Sequence, residues 1–245
     1  MLKSLIFWLG ILGVLASWEL ALADPGRVLY WLLLCLASSS IVSVRFSDDT
    51  SPFRGIMADR IAVVLFVVGA FWWFLWLDFA YIKYAVPFLV WLGLMYASAR
   101  LRSEQSQLVT VRLALFFGGT FFWSVTSFGL LSVIGWEVWE TLSVFGVSFG
   151  VFSYTGVRTL QPPPGSVFSA WLVLLLLGLE LFSVVAWLPF TEVTLALVLT
   201  VLVLFCYDFI KYYLFPERIR KMIIIKKLAI YAFFILIVLV STPWV

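Results

Sequence analysis

The chain has no histidine and only two cysteines among its 245 residues. Histidine is the commonest general base, metal ligand and pH switch near neutrality. Its absence excludes intramembrane metalloproteases, Ser–His hydrolases and His-dependent phosphatases in their usual forms. Cys35 and Cys206 both fall inside apolar runs, where a thiol packs as a small hydrophobe, and two thiols alone make a poor zinc site. No GxGxxG, Walker A or HExxH pattern occurs, so no nucleotide, metal or other cofactor is expected. Charge is scarce too. Charged residues are 12% of the chain and apolar residues 64%, against about 25% and 45–50% in soluble domains. So few charges cannot cover a water-facing surface. The reading is an all-α, polytopic transmembrane bundle: one integral membrane domain over 1–245, with no soluble domain.

What is present is a series of long apolar runs. A helix needs about 20 apolar residues to cross a hydrocarbon core of about 30 Å. Nine stretches qualify as spans: 4–23, 28–44, 61–77, 79–99, 113–134, 141–157, 167–188, 193–210 and 228–240. They are continuously apolar rather than alternating, which favours helices over barrel strands. Asp24-Pro25-Gly26 is a turn signal, and Pro162-Pro163-Pro164-Gly165 cannot continue a helix. Pro189 ends the seventh span and Thr191 is placed to cap the eighth. The third and fourth spans meet at Asp78 with almost no loop. The ninth is short.

Orientation follows from the basic residues. With the N-terminus cytoplasmic and the C-terminus outside, every one of the 16 Lys and Arg except Arg27 and Lys83 falls on the cytoplasmic side. Trp18, Trp31, Trp72, Trp73, Trp76, Trp136, Trp139, Trp187 and Trp244 map to the outer layer, an aromatic belt biased to one face. A bacterial plasma membrane is the simplest location. Lys3, the first apolar run and Ala21-Leu22-Ala23 resemble a signal peptide; Glu19 beside the cleavage site argues for a retained helix.

Ionisable groups within a membrane are candidates for function. Glu180 lies in the run from Leu172 to Phe182 and is expected to face the bundle, as a proton-coupling or substrate-binding carboxylate or as a plain helix–helix hydrogen bond. Glu19, Asp24, Asp78, Glu137, Glu140 and Glu192 also map outward. Glu180, Glu19, Trp136, Glu137 and Trp139 are the candidate contacts for a solute or lipid headgroup, because carboxylates beside aromatic faces suit cations, amines and sugars. On the inner side, Lys211 to Lys227 carries six basic residues and one acid, Glu217. Arg218, Arg220, Lys221, Lys226 and Lys227 are candidate contacts to anionic lipid. Asp208 and Lys211, three apart, are placed to pair, and Arg112 to snorkel to the inner interface.

Small residues predict close helix packing: Gly146 and Gly150 in the sixth span, Gly10, Gly13 and Ser17 in the first, Ser38, Ser39 and Ser40 in the second. The fifth span is unusually small and polar, and Pro87 should kink the fourth. Three functional readings stay open. The first is a small carrier or flippase binding a solute or lipid headgroup from the outer leaflet. The second is a noncatalytic subunit or scaffold with a protein partner in the membrane. The third is a carboxylate-dependent enzyme acting on a polyprenyl-linked substrate, with Glu19 and Asp24 near the outer end of the first helix. Membrane lipids are partners in each; nucleic acid is not.

Overall fold

The computed structural model describes residues 2–46, 53–76, 80–100, 105–163, 165–218 and 221–242. Among them are nine long α-helices and no strand: α1 (Leu2–Ala23), α2 (Val28–Ser43), α3 (Phe53–Trp76), α4 (Ala80–Arg100), α5 (Gln105–Gly129), α6 (Val138–Thr159), α7 (Ser166–Val185), α8 (Glu192–Leu214) and α9 (Lys221–Ser241). Each overlaps one of the nine expected stretches. Seven helical stretches are long and apolar enough to cross a membrane, in α1, α2, α3, α5, α7, α8 and α9. Over the described residues α4 gives a shorter apolar stretch, Ala85–Tyr96. α6 is not among the seven; it carries Thr141, Ser143, Ser148, Ser153 and Thr155 through its length. The fold is all-helical, rich in apolar surface and of multi-pass membrane type.

The helix ends follow local chemistry. α5 closes in a π-helical turn, Leu130–Ile134, and Gly135 then takes a left-handed conformation (φ +75°) that a side chain would strain. α6 starts earlier than expected. Glu137 is its N-cap, and the Glu140 carboxylate accepts the Glu137 backbone N–H at 3.1 Å. Thr191 stands at the N-cap position of α8 but does not cap it with its side chain: its hydroxyl meets the Thr194 hydroxyl at 3.0 Å instead. α9 is longer than the expected ninth span. The segment from Met222 to Lys227 forms its first turns, since nothing in it breaks a helix. α4 runs through Pro87. Asp78 lies outside the described residues.

The chain divides into two compact units, Met1–Gly119 and Thr120–Val245. In the first, α1 packs on α2 and α2 on α3. Helix association within lipid depends on close van der Waals contact and interhelical hydrogen bonds rather than water release, and the small residues supply it. A Cβ on Gly13 would lie 2.3 Å from the Ser38 hydroxyl, and one on Gly10 would lie 3.1 Å from the Ser38 carbonyl oxygen. Trp18 is buried against Phe71 and Phe74, with ring centres 6.0 and 5.1 Å away.

In the second unit, α6 packs on α7 and α7 on α8. Phe128, Phe182, Phe145 and Phe149 form a continuous stack with successive ring centres 4.6, 4.7 and 5.1 Å apart. Phe149 fills the space left by Gly178, where a Cβ would lie 2.1 Å from its ring. Gly146 faces Leu179, and the Gly150 carbonyl accepts the Trp171 indole N–H at 2.8 Å. The glycines of α6 thus serve the α6–α7 contact inside the unit.

Candidate functional site

In the first unit the conspicuous polar feature is an ion pair between α3 and α5. Arg112 Nε donates to Asp59 Oδ1 at 3.1 Å and Nη2 to Oδ2 at 2.6 Å. The residues are 8% and 2% exposed. Arg112 therefore does not snorkel: a bidentate carboxylate inside the unit satisfies its guanidinium more directly than an interface would. Asp59 was not a candidate, because it sits in a charged stretch that reads as a link. Its position does carry a signal. Asp59 is in helical phase with Ala62, Val63, Phe66 and Val67, and Ala62, Val63 and Val67 are wholly buried.

In the second unit a polar cluster joins α8 to α9. Asp208 Oδ2 accepts from Lys227 Nζ at 2.7 Å and from the Tyr231 hydroxyl at 2.5 Å. Asp208 is buried. The expected Asp208–Lys211 pair is not the one formed. Lys211 is exposed, and Asp208 turns instead to α9, where two donors converge on one oxygen. Lys227, a candidate lipid contact, is engaged by this carboxylate and lies 5.7 Å from the Tyr212 ring centre.

The other candidate lipid contacts are scattered along the same stretch. Arg218 ends a short 3-10 turn, Lys221 starts α9, Lys226 is exposed one turn on, and Arg220 lies outside the described residues. The candidates near the start of α6 are drawn together. Trp139 donates its indole N–H to Glu137, beside Glu140, and Trp136, Glu137 and Trp139 are all exposed. Glu137 and Glu140 are thus used, at least in part, to start α6. Asp24 pairs with Arg27 at 3.3 Å. Ser132 donates to Glu192 at 2.5 Å, tying the end of α5 to the start of α8.

Glu180 departs from expectation. α7 buries Ala170, Leu174, Gly178, Phe182 and Val185 on one side. Glu180 lies on the other, with Val173, Leu176 and Val184, and is exposed. It does not face the interior of its unit, because that stripe is filled by the Phe stack and by Gly178. No described residue gives it a hydrogen bond or ion pair. Glu19 is likewise on an exposed face, in the first unit.

A groove of about 610 Å³ lies between α7 and α8. On α7 it is lined by Ser166, Ser169, Ala170, Val173 and Leu177, and on α8 chiefly by Phe205, Cys206, Phe209 and Tyr213. None of the candidate contacts lines it, though Glu180 lies one turn beyond Leu177 on the same side of α7. Among the described residues no cluster of three or more Asp, Glu or Cys is placed to hold a metal. Compared with known proteins, the chain matches no family, no curated sequence and no solved structure.

Proposed function

We propose that this chain is a noncatalytic, multi-pass subunit of a larger membrane assembly. In this reading all nine helices cross the membrane, with the N-terminus cytoplasmic and the C-terminus outside, in a bacterial plasma membrane. The distribution of Lys and Arg supports the orientation. The observation that carries the subunit reading is the exposed carboxylate of Glu180 on an otherwise apolar face of α7. An ionised side chain at the centre of a membrane helix costs about 3 kcal/mol even on lenient scales, and less toward the end where Glu180 lies. Covering that face with another protein removes the cost. The buried pair of Asp59 with Arg112 and the half-buried pair of Asp208 with Lys227 fit a structural role equally well, since each joins helices of one unit. The test is gentle extraction with surrounding lipid from cells that make the protein, followed by mass measurement of the intact assembly. A second chain at fixed stoichiometry is expected. A chain carrying only lipid would overturn the reading.

A carrier or flippase remains the second reading, and a different observation favours it. The groove between α7 and α8 is within the size range of small-molecule sites, and its apolar walls suit an acyl or isoprenoid chain. Here the groove replaces Glu180 and Glu19 as the contact. One lipid species retained stoichiometrically by a partner-free chain would favour it. The enzyme reading has less support: Asp24 is occupied by Arg27, and Glu19 stands on an exposed helix face.

A further inference from the structure

We infer that the groove-bearing face of α7, from Ser166 to Glu180, seats a transmembrane helix of a partner chain carrying a lysine or arginine at the level of Glu180. This rests on the subunit reading and names the partner's chemistry.

The face is continuous. Ser166, Ser169, Val173, Leu177 and Glu180 recur at three- and four-residue intervals, so they form one stripe along α7. Beside the lower part of that stripe, Phe205, Phe209 and Tyr213 of α8 form a second wall. Two helices with a trough between them offer the side chains of a third helix a place to interdigitate. The trough is apolar along its length and carries hydroxyls at one end, from Ser166, Ser169 and Tyr213. The carboxylate stands beyond its other end.

Glu180 cannot easily escape to water. It lies five residues before the end of α7 at Val185, about 7.5 Å along the axis. Apolar residues continue past that end, through Ala186, Trp187, Leu188, Pro189 and Phe190. Side chains on a helix also lean toward its N-terminus, which directs the Glu180 side chain away from the nearer end. A lipid headgroup, confined to the interface, is poorly placed to meet it. A cation projecting from a neighbouring helix is well placed, and intramembrane carboxylates characteristically pair in this way.

A second copy of the chain is a weaker match. The proposed orientation puts Glu180 in the outer half of the membrane, where this sequence offers only Arg27 and Lys83. Arg27 lies in the short turn between α1 and α2, beside Asp24, and Lys83 is in the first turn of α4, so neither stands partway along a helix as Glu180 does.

The test uses the full chain, donor-labelled, in liposomes of neutral lipid. Acceptor-labelled synthetic Leu/Ala transmembrane helices carry either one lysine, placed to reach the level of Glu180, or leucine at the same position. Energy transfer reports association. The lysine helix is expected to bind about tenfold more tightly than the leucine helix. Glu180→Leu should abolish that difference, and Glu180→Gln should reduce it. Val173→Trp, which crowds the trough, should weaken both helices. Equal binding of the two helices, or a lysine preference that survives Glu180→Leu, overturns the inference. So does Glu180-dependent transfer between differently labelled copies of the protein itself, which would assign the face to a second copy. So does displacement of the lysine helix by a soluble short-chain lipid, which would assign it to lipid. Indifference to lysine, with a partner still present in the intact assembly, removes this inference alone. A partner-free native chain removes the subunit reading beneath it.

Discussion

Arg112 grips both carboxylate oxygens of Asp59 across 53 positions of sequence, and both residues are buried in their unit. Neither charge has an easy route to water once α3 and α5 are together. Breaking such a pair from one side leaves the other charge buried. Arg112→Ala is therefore expected to destabilise the protein by about 3–5 kcal/mol, read as a fall in the thermal unfolding midpoint in detergent. Replacing both residues, as Asp59→Leu with Arg112→Met, should recover most of the loss. A single variant that unfolds like the parent would show the pair to be dispensable.

The clamp on α9 has two donors of different strength. Lys227 gives Asp208 a charged partner and Tyr231 a neutral one. Both bonds end on a carboxylate and are worth about 1.5–3 kcal/mol each, but Lys227 adds a full opposite charge at 2.7 Å. Lys227→Ala should therefore speed amide hydrogen exchange along α9 more than Tyr231→Phe. The reverse order would place the clamp's strength in the tyrosine.

Two glycines make a matched pair for packing. A Cβ at Gly178 would collide with the Phe149 ring, whereas one at Gly93 meets nothing within 4 Å. Gly178→Ala is expected to cost about 1–3 kcal/mol through overpacking. Gly93→Ala should be neutral or stabilising by up to about 1 kcal/mol, because alanine favours the helix. Unfolding midpoints of the two variants check this; equal effects would contradict the close α6–α7 contact.

Orientation can be read by labelling. In a chain with Cys35 and Cys206 replaced by serine, Phe190→Cys should react with an impermeant maleimide from outside intact cells. Gln161→Cys should react only after the membrane is opened. The opposite pattern would invert the assigned topology.

The number and order of helices were legible because they rest on composition: runs such as 113–134 and 193–210 leave no other structure open in lipid. Helix starts were less so, as α6 and α9 show, because Glu137 and the lysines from Lys221 to Lys227 look like loop chemistry, and yet Glu137 is the N-cap of α6 and the lysines sit in the first two turns of α9. The partners of charges were the least legible. Local spacing suggested Lys211 for Asp208, while the structure supplies Lys227, 19 positions on. The side on which Glu180 falls was also missed. Almost every neighbour of Glu180 in sequence is apolar, so the pattern of α7 has too little contrast to mark a buried face. The size of Gly178 and the rings of Phe149 and Phe182 decide it instead.

The central claim is that protein, not lipid, covers the outer face of α7. Site-specific photo-crosslinking in intact membranes tests it most directly. A benzophenone side chain in place of Leu176 lies on that face; one in place of Val147, exposed on α6, is the comparison. The account expects a discrete protein adduct at position 176, lost in the Glu180→Leu background, and lipid adducts at position 147. Lipid adducts alone at both positions would contradict it.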